Sequence, residues 1–415
     1  MIFNQITTHL MKNFTLVLVC FITINVFAQE PELESVYRRS SLYTLMVADE
    51  NREFAKNIQE SFVGSPIPDK FNDHIVTNRT IPKVLDNSLS KKEMKIAQKE
   101  AISEYLTTGQ IAKAMVAKWF NRSENGGFNM DLIAERGSYN ASDIDIKIAK
   151  NSERGLALVA DAGEELIKNT FVVVNNFKYT NKEEVAKKAS GFLSVVSTVA
   201  SVAGASAVST AADATSIGVG VMGKGYVIKT DAHLYKLVWN DEVASIFYNE
   251  YWTEDESIDP DKVKAFEDSD IFQLEYVGTE TAWADLQSTA FTKKDDTELI
   301  SVATVKAADA VIAKLQRSYE IFRTKTPLLS GDPISAKIGF KEGLEKGDKY
   351  EVLEQVINDE GKTEYKRVGT IKVDKKHIWD NRFMAEEENP SEIEYTTFKG
   401  SKKKYYAGML IRQIN

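Results

Sequence analysis

The run Gly191–Ala212, 22 residues without a charge, constrains this chain more than any other stretch. It is built almost entirely from Ala, Ser, Val, Thr and Gly, and a glycine-rich tail continues it to Gly225. Segments with strand character flank it, Thr170–Tyr179 and Tyr226–Trp239. The pattern predicts one mixed α/β domain whose two strands are separated by an insertion. Phe192, Val195, Val196, Val199, Val202 and Ala203 follow helical spacing, so the insertion should begin as a small-residue helix and end as flexible glycine. Small residues permit close backbone approach, as at helix contacts in membranes. Ala and Ser are weakly hydrophobic, which favours a buried or self-associating helical hairpin over a membrane span. Membrane contact through Gly191–Gly223 is the competing expectation.

The N-terminal region reads as a targeting segment covering residues 1–28. Lys12 after Met11 supplies the positive region, Phe14–Phe27 the apolar run, and Val26-Phe27-Ala28 the small-residue cleavage pattern. About 14 apolar residues are too few to span a bilayer core. Cys20 follows Val19 and precedes further apolar chain, which is unsuited to a lipid-anchor site. Cleavage would remove one charge, Lys12, taking the net charge from −9 to −10, and with it the single cysteine. Disulfides, thiolate metal sites and a cysteine nucleophile are then excluded from the mature chain. The acidic balance argues against a nucleic-acid partner.

Along the chain, Ser40–Val47 reads as a strand and Asn51–Val63 as a helix closed by Ser65-Pro66-Ile67-Pro68. Ser90 with Glu93 forms a capping box for a helix over Lys91–Leu106, with Ile96, Ala97, Ala101 and Tyr105 as its buried stripe. A second helix, Gln110–Phe120, should bury Met115, Trp119 and Phe120. Leu156–Ile167 reads as helix, and Phe171-Val172-Val173-Val174 as a strand covered on both faces. Asn240-Asp241 offers a turn into an aromatic strand-like run, Val243–Trp252. Pro260 opens a short helix, and Ile271–Val277 alternates. The longest helix, Glu298–Phe322, carries the stripe Ile300, Val305, Ala308, Val311, Ile312, Leu315 and Tyr319.

Residues 324–333, with two prolines, read as a linker between residues 29–323 and 334–415. The last segment, about five short strands spaced by tight turns, predicts a small antiparallel barrel or sandwich. The fold class is therefore α+β.

Ser40-Ser41-Leu42-Tyr43, Ile67-Pro68-Asp69-Lys70-Phe71-Asn72-Asp73-His74, Leu237-Val238-Trp239-Asn240-Asp241-Glu242 and the stretch from Gly343-Leu344 to Val352 carry a resemblance. Through them the chain resembles a group of exported proteins of unassigned function from Bacteroidota-type bacteria. The resemblance implies location and architecture and brings no catalytic residue. In layout alone the chain is similar to periplasmic assembly factors that join an α/β domain to a small C-terminal barrel.

Chemical constellations are few. Gly218-Val219-Gly220-Val221-Met222-Gly223 matches G-x-G-x-x-G, but nucleotide binding requires a strand before it and a helix after, and here the order is reversed. Asp69, Asp73 and His74 could supply metal ligands from one loop; an exposed turn with self-bonded aspartates is the simpler reading. His233 alternates along a strand as a packed or surface residue. Trp239, Tyr248, Tyr251 and Trp252 could stack on sugar rings, although strand spacing favours a core role. The carboxylate runs at Asp255, Asp295 and Glu386–Glu388 and the basic run Lys402–Lys404 read as solvated faces. No catalytic, cofactor or metal residue is assigned.

The expectation is an exported envelope protein, periplasmic, outer-membrane-associated or extracellular, that binds an envelope protein or itself. A hydrolase of envelope glycan is the alternative from another class. A protein inserting residues 191–223 into the outer membrane is the third.

Overall fold

The structure is a computed structural model describing residues 37–86, 88–139, 163, 165–181, 225–285, 295–358, 363–383, 385, 393–401 and 404–414. These residues belong to one compact unit, Tyr37–Asn415. The targeting segment, the stretch Gly191–Lys224 with its glycine motif, and Glu386–Glu388 lie outside the described residues, so the readings placed on them stand as expectations.

A mixed sheet organises the larger part of the chain. Strands β1 (Ser41–Ala48), β2 (Asn72–Asp73), β3 (Thr80–Pro82), β4 (Thr170–Asn181), β5 (Tyr226–Leu237) and β6 (Leu274–Asp285) run in the order β2-β1-β4-β5-β6, with β3 also on β1. β1 is parallel to β2, β3 and β4, and β4-β5-β6 are antiparallel. The two strands flanking the long insertion therefore pair directly, from Phe171↔Lys236 to Asn181↔Tyr226. Phe171, Val172, Val173 and Val174 are fully buried, as a continuous apolar run in a doubly covered strand requires.

Helices cover both faces. On one side lie α1 (Ala55–Gly64) and, later in the chain, α7 (Asp296–Ser318). Met46, Phe177, Tyr226 and Ile228 pack there with Ile58, Phe62, Leu299 and Ile300, while Leu42, Phe171, Val173 and Leu234 pack with Val311, Ile312 and Leu315. The other side carries α2 (Lys91–Thr108), α3 (Ile111–Trp119), α4 (Asp131–Tyr139), α5 (Asp241–Ile246) and α6 (Pro260–Asp268). Its core joins Tyr43, Leu45, Val172, Val174, Tyr235 and Leu237 to Ile102, Leu106, Met115, Trp119 and Phe247. Among the described residues, no helix is long and apolar enough to cross a membrane.

Local chemistry sets these helix starts. The Ser90 hydroxyl accepts from the Glu93 amide at 3.3 Å, while the Glu93 carboxylate accepts from the Ser90 amide at 2.8 Å, completing the expected capping box. The buried face of α2 differs from the expected one, however. Gln98, Ile102 and Leu106 face inward, and Ile96 is 50% exposed. The polar Gln98 is accommodated because its side-chain carbonyl accepts the Val84 amide at 2.9 Å.

The Val243–Trp252 run is helical rather than strand-like. Asn240 caps α5 by accepting the Val243 amide at 2.9 Å, and the helix continues as a π-turn over Phe247–Tyr251. A potential turn residue acts here as an N-cap, and burial of the rings overrides their strand preference.

The C-terminal strands are β7 (Thr326–Gly331), β8 (Ile334–Ala336), β9 (Lys349–Ile357), β10 (Thr363–Val373), β11 (Thr396–Lys399) and β12 (Leu410–Ile414). They close as β10-β11-β8-β7-β12-β9, a barrel rather than a sandwich. The stretch 324–333 is thus no linker, because six of its residues form β7. Pro327 is tolerated beside Leu410 in a short pairing with β12.

Helix α7 is shared between sheet and barrel. Its buried residues include Val302, Ala303, Thr304, Ala313 and Gln316 beyond the expected stripe. Ala313 lies under Gly343, where an added Cβ would come within 2.9 Å of the alanine methyl. Arg317 donates to the Gly343 carbonyl at 2.5 Å and to both Asp348 carboxylate oxygens at 3.2 and 3.0 Å.

Candidate functional site

The six residues that the sequence offered as contacts fall into two places, neither an open site. His74 is fully buried and stacks on Trp119 with ring centroids 4.8 Å apart. Its Nε2 donates to the Met115 carbonyl at 2.9 Å, and its Nδ1 accepts from Arg136 Nη1 at 3.0 Å. Burial and then the Arg136 charge hold its pKa well below the usual histidine value. Both ring nitrogens are engaged, so His74 is part of the core and not of an exposed turn. The Asp73 carboxylate accepts the Ile75 amide at 2.8 Å, and Asp69 lies outside, 3.8 Å from Lys341. Among the described residues, no three His, Cys, Asp or Glu side chains gather to hold a metal.

The aromatic group is a core with one exposed rim. Trp239 is 4% exposed and lies 5.6 Å from both Phe120 and Phe247, centroid to centroid. Its indole Nε1 is buried without a hydrogen-bond acceptor among the described residues. Trp252 stacks on Phe128 at 6.0 Å, and Tyr248 sits outermost, 5.8 Å from Trp252. Stacked, tilted and edge-on contacts occupy these rings with one another, leaving no broad platform for a sugar.

The concavity with available charge lies elsewhere, on the same face of the sheet but beyond the reach of α3 to α6. It is a groove of about 830 Å³ between α2 and strands β5 and β6. Lys92, Lys95, Ile96, Lys99, Glu100 and Ser103 form its helical wall, and His233, Tyr276 and Thr279 its floor. Lys92, Lys95 and Lys99 follow i, i+3, i+7 spacing, which places them on one side of a helix. None of the three forms an ion pair among the described residues, so like-charge repulsion costs about 0.2–0.5 kcal/mol per neighbouring pair. The Lys99 ammonium is pinned 3.9 Å above the Tyr276 ring centroid.

His233 anchors the floor. It is 6% exposed, and its Nδ1 lies 2.7 Å from the Thr279 hydroxyl, which the Tyr276 hydroxyl also meets at 2.7 Å. Its Nε2 has no hydrogen-bond partner among the described residues. Burial, with Lys99 and Lys95 adding to it against Asp231, pushes its pKa down to about 4, so the ring is neutral at ordinary pH. Further along the same face, Asp231 lies 3.8 Å from Lys229 and 3.9 Å from Lys178 and accepts from the Thr281 hydroxyl. Lys229 rests 5.3 Å from the Trp283 ring centroid.

A second concavity of about 450 Å³, beside the starts of β1 and β4 at the barrel, is also cationic, but three of its four cations, Arg323, Lys325 and Arg412, are committed internally. Lys325 lies 3.3 Å from Glu165, Arg412 reaches Glu351 at 2.7 Å and Glu320 at 3.2 Å, and Arg323 donates to three backbone carbonyls. That network joins sheet to barrel.

No protein-family model matches this chain. No functionally curated protein is detectably similar to it either. The groove residues were readable only in part: the lysine spacing on Lys91–Leu106 and the alternation of Lys229, Asp231 and His233 were present in the sequence. Their convergence depends on the β5-β6 pairing, which follows a segment outside the described residues.

Proposed function

We propose that this chain is an exported cell-envelope protein that acts by binding, with the basic groove as its recognition surface for an anionic envelope partner. The observation that carries this reading is the row Lys92, Lys95 and Lys99, which faces a concavity without ion-pair partners among the described residues. An anion seated there would relieve the repulsion within the row. Among the described residues, Glu100 is the single carboxylate lining the groove. Glycoside hydrolysis ordinarily uses two carboxyl groups flanking the scissile bond, so the lining suits capture better than cleavage. Export is supported by Lys12, the apolar run Phe14–Phe27 and the Val26-Phe27-Ala28 pattern.

Two measurements test the reading. N-terminal sequencing of the protein from fractionated native cells should begin at Gln29 in an envelope or secreted fraction; uncleaved chain in the cytoplasm removes the export part. Full-length protein and its Lys95→Gln/Lys99→Gln variant are then titrated with inorganic polyphosphate as a generic anionic probe. Salt-sensitive binding that the variant loses supports the groove, and equal binding by both proteins rejects it.

A further inference from the structure

The groove's chemistry points beyond charge to a ligand class. We infer that it takes an acidic oligosaccharide with carboxylates on alternate sugars, an inference that rests on the binding function proposed above.

Three features carry it. Lys92 and Lys99 stand seven residues apart on α2, and at 1.5 Å per residue they lie about 10 Å apart along the helix axis, with Lys95 between them. That spacing suits acidic groups on every second sugar of a linear glycan better than a single small anion.

The floor, in turn, is built for neutral hydroxyls. His233 is buried and lines the cavity with its Nδ1 engaged by Thr279 and its Nε2 without a partner among the described residues. A ring nitrogen that meets the groove in this way can hydrogen-bond to a ligand hydroxyl. Ser103, Thr279 and the Tyr276 hydroxyl surround it, all able both to donate and to accept. A polyhydroxyl ligand matches this lining.

The rings, finally, disfavour nucleic acid. Sequence-tolerant binding of single strands relies on open aromatic faces for base stacking. Here Lys99 covers Tyr276 and Lys229 sits over Trp283, so the aromatic residues position ammonium groups instead.

The test is calorimetric titration of the full-length protein with four probes: hyaluronan hexasaccharide, the neutral chitin hexasaccharide, glucuronate and hexathymidylate. The hyaluronan hexasaccharide should bind, with the other three at least tenfold weaker. Lys95→Gln/Lys99→Gln, both on the exposed side of α2, should weaken binding about tenfold and flatten its salt dependence. His233→Phe should weaken it severalfold while leaving the salt dependence unchanged, because the histidine is neutral.

Glucuronate binding as tightly as the hexasaccharide would overturn the two-point spacing. Hexathymidylate binding equally well, or the lysine variant binding the hexasaccharide unchanged, would overturn the sugar assignment. Loss of sugar binding with polyphosphate still held at the lysines would leave the basic groove standing. Failure of every anion at the groove would remove both readings.

Discussion

One face of the central sheet carries two surfaces that differ sharply. Toward α3 to α6 its residues are Tyr235, Leu237, Val172 and Val174, sealed under Trp119, Phe120 and Phe247. Toward the far ends of β5 and β6 the same alternation presents Lys229, Asp231, His233, Thr279 and Thr281. On the opposite face of β5, Tyr226, Ile228, Ala232 and Leu234 are buried against α1 and α7, with only Thr230 polar among them. The β5–β6 register shifts between Leu234 and Tyr235, and the change of residue type falls at the same place, where the cover of α3 to α6 gives way to α2 alone. Polar groups on the less covered half must be satisfied by one another, by water or by a ligand, as Asp231 is by Lys229 and Thr281 and His233 by Thr279.

The sharpest way to break the comparison is to exchange the chemistries. Val174→Lys places an unpaired charge in the sealed half and should cost about 3–5 kcal/mol, read as a large fall in the urea midpoint or failure to fold. A loss below about 1 kcal/mol would show that the seal is incomplete. Truncating Phe120, which stacks on Phe247 at 4.3 Å, should cost a comparable 3–5 kcal/mol or so in the same assay.

The two histidines sharpen the contrast. His74→Ala removes two buried hydrogen bonds and a stacked ring, with an expected loss of about 2–4 kcal/mol at neutral pH. His233 acts mainly through pH. Its folded pKa of about 4 lies below the ordinary 6.5, so between those values the unfolded chain binds the extra proton. Above about pH 6.5 the group contributes nothing, and stability falls as pH drops toward 4. His233→Asn should therefore lose less stability than the parent over that window, by about 2–3 kcal/mol at its acid end. Parallel pH profiles from denaturant unfolding would contradict the assignment. The smallest effect is expected at Lys92→Gln on the exposed side of α2, within roughly 0.5 kcal/mol of the parent.

Much of this architecture was legible because local chemistry and tertiary packing agree. The Phe171–Val174 run, the Ser90/Glu93 box and the β9-β10 hairpin are determined by neighbours close in sequence. Where they disagree, sequence reasoning fails for definite reasons. Gln98 looks like a surface residue until Val84, from outside the helix, brings it an amide. Asn240 serves a turn or a helix cap equally well, and only the packing of Phe247 and Tyr251 against Phe266 and Phe272 decides. β7 was hidden by its proline and glycine, which a short barrel strand accommodates. The groove was hidden because half of it comes from a helix and half from strands more than a hundred residues later.

Helix α7 carries a thermodynamic consequence of its own. Its sheet-facing residues, Val311, Ile312 and Leu315, and its barrel-side contacts, Ala313 and Arg317, interleave along the same two turns. Neither layer can let go of the helix without uncovering part of the other's support. Heat should therefore melt sheet and barrel in one transition, with calorimetric and van't Hoff enthalpies in agreement, even though the two differ completely in topology.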